Sequence, residues 1–156
     1  MSRQVFFSFH YERDLWRANL VRNSWITKGK GTAAGFWDAA AQEAIKKNDQ
    51  EAIARWIDSQ LEGTSVTAVL ISAQTYTRKW VKYEIQKSWD RGNGLFGIYI
   101  HGIENKTEEA DAKGLDPFES MKFKGIKTYD WIDDDGYDNF AEWIEVAHKR
   151  AENRPS

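Results

Sequence analysis

Cysteine is absent from the 156 residues, which removes disulfides, thiolate chemistry and cysteine-bound zinc together. Histidine is scarce: His10, His101 and His148 stand far apart without ligand spacing, so no metal centre is expected. Neither sign of charge dominates, with 22 Lys+Arg against 24 Asp+Glu, and the formal net charge of −2 supplies no global field toward nucleic acid or an anionic membrane. No apolar run approaches the ~20 residues of a membrane span. Met1-Ser2-Arg3-Gln4 leads into only a short apolar stretch, whereas a signal peptide would need ~7–15 such residues and a cleavage site. The expectation is a cytoplasmic protein with no nucleic-acid and no membrane partner. What remains, 41% hydrophobic and 29% charged residues, is the profile of a soluble globular chain of one domain, 1–156.

Apolar patterning alternates between two periods along the chain. Val5–Phe9 is a buried-strand pattern, and Leu15, Ala18, Val21 and Trp25 follow at helical spacing. Lys28–Thr32 reads as a loop, and Gly35-Phe36-Trp37 as a brief second strand ending at Asp38. Ile53, Trp56, Ile57 and Leu61 share a helical face closed by Gly63. Val66–Ile71 is the clearest buried strand, and a helix over about 77–91 carries Val81, Ile85 and Trp89 as its stripe. Phe96–Ile100 predicts a fourth strand, 104–125 an irregular surface segment, 126–131 a short edge strand, and 137–150 a last helix. Strands alternating with helices imply an α/β fold: a five-stranded parallel sheet with helices on both faces, flavodoxin-like, in strand order 2-1-3-4-5.

Ligands of such sheets bind beyond the carboxyl ends of the strands, where strand order reverses. That places Ser8, Phe9, His10 and Tyr11 after the first strand, and Ser72 with its neighbours after the third, around one crevice. On the following helix Trp80, Glu84 and Ser88 stand four residues apart and border the apolar stripe. Glu84 is then either a carboxylate at the edge of the cleft or a solvated residue paired with Lys82 or Lys87; Trp80 is either a stacking platform or core. Trp37, beside the Lys28–Gly35 loop, is within reach of a ligand.

Other chemistries fail on their residues. A receiver domain needs an Asp where Ser72-Ala73-Gln74 stands, and Gly29-x-Gly31-x-x-x-Gly35 has neither the place nor the spacing of a phosphate loop. Asp133-x-Asp135-Gly136 imitates part of a calcium loop but has Trp131 at the first-ligand position, so these aspartates are expected to cap the last helix.

Val5-Phe6-Phe7-Ser8-Phe9-His10 followed by Asp14 resembles the first box of TIR domains, and Trp80-Val81-Lys82-Tyr83-Glu84-Ile85 resembles the W-x-x-x-E segment of NAD-cleaving TIR enzymes. Val21–Trp25, Ala33-Ala34-Gly35 and Arg78–Ile85 narrow the likeness to the short TIR-like subunits of the bacterial Thoeris anti-phage system. The resemblance implies a single TIR domain that consumes NAD as substrate with no further cofactor, releases nicotinamide and forms a cyclic ADP-ribose isomer. It further implies a phage-derived trigger, a separate effector reached through that product, and a possible homo-oligomer. By the same resemblance Glu84 matches the catalytic glutamate, Trp80 the motif's aromatic, Ser8–Tyr11 part of the nucleotide rim, and Asp38 the acidic loop after the second strand. The chain departs from many TIR enzymes by having His10-Tyr11 where a basic pair would stand.

The chemistry suits the residues on its own terms. Nicotinamide leaves NAD as a neutral base, so one carboxylate facing an oxocarbenium-like ribose is sufficient. Two other classes compete: a TIR module acting through protein contacts with Glu84 structural, and a nucleoside deoxyribosyltransferase-like enzyme.

Overall fold

The computed structural model describes residues 3–29 and 31–154. Lys30, within the expected Lys28–Thr32 loop, and Met1-Ser2 at the expected start lie outside them.

β-Branched and aromatic residues build β1 (Arg3–Ser8) and β3 (Val66–Ile71), whose last four and all six residues respectively are buried. Together with β2 (Gly31–Ala34), β4 (Gly94–Tyr99) and β5 (Thr128–Asp130) they form one parallel sheet in the order β2-β1-β3-β4-β5. Along the central ladder Val5 stands opposite Val66 and Ser8 opposite Val69. The expected topology is the observed one.

Period-two alternation decides which helix covers which face. Val5, Phe7, Phe9, Val66, Ala68, Leu70, Phe96 and Ile98 point to α1 (Tyr11–Thr27) and α6 (Gly136–Glu152), meeting Val21, Trp25, Phe140 and Ile144. Phe6 points the other way, into α2 (Ala39–Lys46) and α3 (Gln50–Leu61) through Ala44, Ile53, Ile57 and Leu61. Val69, Ile71 and Leu95 on that second face meet Val81 and Ile85 of α4 (Lys79–Asp90) and Phe118 of the one-turn α5 (Pro117–Ser120). Full burial of each such apolar side chain is worth roughly 1.5–3 kcal/mol before chain entropy is counted.

The second strand lies four residues earlier than its aromatic content suggested. Thr32, Ala33 and Ala34 pair with Gln4, Val5 and Phe6, while Gly35 has φ +93° and turns the chain off the sheet. Phe36 then packs on Phe7 and Phe9, with centroids at 5.6 and 5.0 Å, as a lid on the sheet and not as a member of it. Asp38 closes no strand; it opens α2, a helix its Ala39-Ala40-Ala41 run makes by propensity.

The aspartates near residue 135 do not cap α6 with their side chains. Asp135 occupies the N-cap position at φ 54° without such a bond. Asp130 instead accepts from the N–H groups of Ile132 and Asp133, and Asp134 from that of Asp130, closing the turn before the helix.

The irregular 104–125 segment is tied down from α1. Arg17 donates to the carbonyls of Ile103 and Glu109 at 3.0 and 2.9 Å, and Arg13 forks onto Asp111, one arm at 2.9 Å. That guanidinium holds the Asp111 carboxyl down at about 2. Further on, the chain crosses the end of β3 so closely that a β-carbon on Gly114 would lie 2.1 Å from the Ser72 carbonyl oxygen. This crossing closes the rim above β3 and leaves it open toward β1 and β2.

Candidate functional site

A cleft of about 520 Å³ opens at the carboxyl end of β1. Phe9, His10 and Tyr11 form one wall and Trp37 continues it; Arg78, Lys79, Trp80 and Val81 form the facing wall; Asn48 of the α2–α3 turn and Gln50, the first residue of α3, close one end. The expected crevice between β1 and β3 is thereby displaced toward β2. Ser72 is not part of its lining: it is fully buried, its hydroxyl donates to the Asp14 carboxylate, and its N–H donates to Thr75 Oγ1 at 2.9 Å. Gly114 covers its carbonyl, so the wall assigned to Ser72 by strand position is sealed.

Aromatic rings line the cleft on both sides. Tyr11 and Trp37 stack with centroids 4.5 Å apart and planes 12° from parallel, and the Tyr11 hydroxyl donates to the Trp37 carbonyl at 3.3 Å. Gln42 of α2 donates in turn to the Tyr11 oxygen at 3.2 Å. Across the cleft Trp80 is half-buried and meets Tyr83 edge-on at 5.3 Å. Its two readings merge, since one part of the indole packs on the α3 face while the residue lines the cleft. Two aromatic walls of this kind suit a flat heteroaromatic ring.

Glu84 lies deeper than a cleft-edge residue. It is 4% exposed, one turn beyond Trp80 and Val81, and the Ser8 hydroxyl donates to its Oε1 at 2.6 Å. Ser8 is itself fully buried and immediately precedes Phe9 of the cleft wall. The pair sits beneath the lining residues. Neither Lys82 nor Lys87 pairs with it among the described residues. Burial pushes the carboxyl up to about 8, and the Ser8 bond opposes that push only in part. Pattern reading missed this depth, yet a signal was present: Val81, Glu84, Ile85 and Ser88 stand at i, i+3, i+4 and i+7, the buried face of a helix.

His10 begins α1 as its N-cap residue without a side-chain cap, and is held below its ordinary pKa first by burial and then by the charge of Arg78. Its imidazole is therefore neutral near pH 7. Asp14 was visible in sequence only as part of the first box. It is fully buried, raised by desolvation against the pull of its Ser72 bond, and joins α1 to the end of β3.

Asp38 is exposed and does not line the cleft; its Oδ1 accepts the Ala41 N–H at 2.9 Å, and that bond is the main reason its pKa is lowered. Its position is that of an N-cap for α2, directly after Trp37. Asp38→Ala should cost about 1 kcal/mol of unfolding free energy, read as a lower urea midpoint with an unchanged slope. A loss of ligand binding without that drop in midpoint would instead show the carboxylate acting on a ligand.

The comparisons with known proteins follow the same lines. The family described as Thoeris protein ThsB, TIR-like domain, matches residues 6–105, a span holding the cleft, Ser8 and Glu84. A Bacillus cereus (strain MSX-D12) protein named "Putative cyclic ADP-D-ribose synthase ThsB1" is 35% identical over 191 residues, covering 92% of this chain and all of that one. Among solved structures, the TIR domain of the Toll-related receptor TRR-2 from Hydra magnipapillata superposes with a TM-score of 0.54 at 15% identity, over 97% of this chain and all of that one. At that identity the receptor domain speaks for the fold alone. The chain belongs to the Thoeris ThsB family of TIR-like domains.

Proposed function

We propose that this protein cleaves NAD, releases nicotinamide and closes the remaining ADP-ribose into a cyclic isomer that serves as messenger to a separate effector in anti-phage defence. NAD is the substrate, with no further cofactor; Glu84 is the catalytic group. The relative named as a cyclic ADP-D-ribose synthase supports the reaction class. The observation that carries the reading within this chain is the Glu84–Ser8 pair, a carboxyl with one hydroxyl donor and no counter-cation among the described residues, under an aromatic-walled cleft.

The residues fit the bond-breaking step. The C1′–N bond of the nicotinamide ribose breaks, its electron pair leaves with the pyridine nitrogen, and positive charge develops on the ribose. A carboxylate in a dry site stabilises that charge far more than it would in water. Ser8 holds one oxygen, which fixes the orientation of the other. Before reaction the positive charge of the bound pyridinium favours the ionised form, so Glu84 gives its proton to solvent and the buried neutral acid becomes the carboxylate the step requires. Because the carboxyl lies under the lining residues, the half-buried Trp80 is the side chain whose displacement opens the path to it. Exclusion of water then lets a nucleophile of the substrate itself capture the ribosyl cation, closing a ring.

A cytoplasmic location, a phage-derived trigger and assembly into homo-oligomers belong to the same proposal; no helix among the described residues is long and apolar enough to cross a membrane. Chromatography with mass analysis, after NAD is mixed with the protein and lysate of phage-infected cells, tests it. Nicotinamide with a ring-closed ADP-ribose is the expected result. Linear ADP-ribose alone would make the protein a hydrolase, and unchanged NAD would leave a contact-signalling module.

A further inference from the structure

Charge around the cleft is distributed unevenly. Arg78 and Lys79 are both exposed and line it, against a single acidic lining residue, the exposed Glu12. Among the described residues neither cation is in an ion pair. The Lys79 amine donates to Gln50 Oε1 and stands 5.1 Å from the centre of the Trp80 ring, which turns it across the cleft. Arg78 lines the cleft together with His10, and its charge is one of the causes that hold the imidazole below its ordinary pKa. The first-strand segment contributes only that neutral imidazole and the Tyr11 phenol, and no cation within the lining. Asn48 and Gln50 add amide groups at the closed end.

We propose that Arg78 and Lys79 form the clamp for the diphosphate of a dinucleotide, replacing from the α4 side the basic pair that the first-strand segment lacks. The proposal rests on the reading that the cleft takes NAD. A diphosphate brings two negative charges to two cations, and the guanidinium fork matches phosphate oxygens two at a time. Arg78 is the N-cap residue of α4, at the cleft end of the helix that carries Glu84. With a diphosphate held at Arg78, the ribose of one nucleotide faces Glu84 once Trp80 is displaced, its ring beside that indole. The second nucleotide then extends toward the Tyr11–Trp37 wall.

Tryptophan fluorescence titrated with ADP-ribose, which has the diphosphate but no nicotinamide, tests the clamp directly. The unmodified protein should bind it, and the double variant Arg78→Gln/Lys79→Gln should raise the Kd ~100-fold, about tenfold per cation. The swap Arg78→Lys/Lys79→Arg keeps both charges and should lie much closer to the parent. All three should share one thermal midpoint, since both side chains are exposed. Parent-like affinity in the Gln variant, or no ADP-ribose binding by the parent, overturns the clamp. Failure of the NAD reading looks different: ADP-ribose held through Arg78 and Lys79 while NAD stays intact in infected-cell lysate retains the clamp and removes the reaction.

Discussion

Glu84→Gln is expected to lower nicotinamide release by ~1000-fold or more in a chain that folds as its parent does. The substitution keeps side-chain volume and leaves an amide oxygen to accept the Ser8 hydroxyl, so the 2.6 Å contact that locates the group survives. It removes the charge alone. A residue that is 4% exposed and bonded to a fully buried serine could equally be a structural peg, and truncation to alanine would not separate the two roles, because a cavity would open under the cleft. With glutamine the peg remains and only the chemistry is lost. The assay is nicotinamide release from NAD in infected-cell lysate, run beside thermal denaturation of both proteins. Turnover at the parent rate would remove Glu84 from the mechanism; lost turnover with a collapsed melting transition would point to the structural role.

How much of this site the sequence discloses depends on where packing overrides pattern. β3 and α6 were legible because their apolar residues keep one period throughout, Val66–Ile71 continuously and Phe140, Trp143, Ile144 and Ala147 at helical spacing. β2 was not, because an edge strand of Gly, Thr and Ala carries almost no apolar signal while the neighbouring Phe36-Trp37 carries a strong one. α2 was hidden by the same error, since an Asp taken as the end of a strand was not considered as the start of a helix. The cleft opens at the carboxyl end of the sheet but is shifted toward β2, for the crossing at Gly114 is a contact between segments 42 residues apart that no local pattern encodes. Arg78 and Lys79 went unremarked as ligand groups because two basic residues in the first turn of a helix look like ordinary solvated surface. Only the fold turns them toward His10 and Gln50.

The polar pairs beneath the cleft give a more general lesson. Ser8 follows Val5-Phe6-Phe7 at the buried end of β1 and meets Glu84; Thr67 stands among the apolar residues of β3 and meets Ser88, 2.7 Å away. Each hydroxyl in a buried strand answers one polar residue on the buried face of α4. Unpaired, any of these groups would cost roughly 1–3 kcal/mol of desolvation, so an isolated Ser or Thr within a strand of this sort announces a partner across the interface. The Thr67–Ser88 pair is neutral and inert. The Ser8–Glu84 pair holds an ionisable group, and it is the one beside the cleft.

A pH series should expose that ionisable group through activity and stability with opposite signs. In the free protein Glu84 releases its proton only near pH 8, so the fraction carrying the reactive charge falls about tenfold for each unit below that value. The kcat/KM for NAD should therefore rise about 50-fold between pH 6 and 8, and level roughly twofold higher about a unit above that. The kcat profile should lie at lower pH, because bound pyridinium favours the carboxylate. Stability runs the other way. Unfolding returns Glu84 to its ordinary value of 4.5, so between pH 5 and 8 the unfolded chain has shed a proton that the folded chain retains. With more protons on the native state, the unfolding free energy falls as pH rises, by about 1.4 kcal/mol per unit from this group. That loss is complete once pH passes 8, when the folded state must also bury the charge. Glutamine has no proton to lose, so urea denaturation of Glu84→Gln should lack this slope, and the variant should become more stable than its parent toward pH 8 while remaining inactive. The difference between the two curves cancels His10, Asp14 and every other titrating group the proteins share. Parallel curves would mean that Glu84 is already charged in the folded protein and is solvated by more than Ser8. A steep difference that mirrors the rise in kcat/KM would show that the same desolvation which costs the fold stability is what arms the carboxylate.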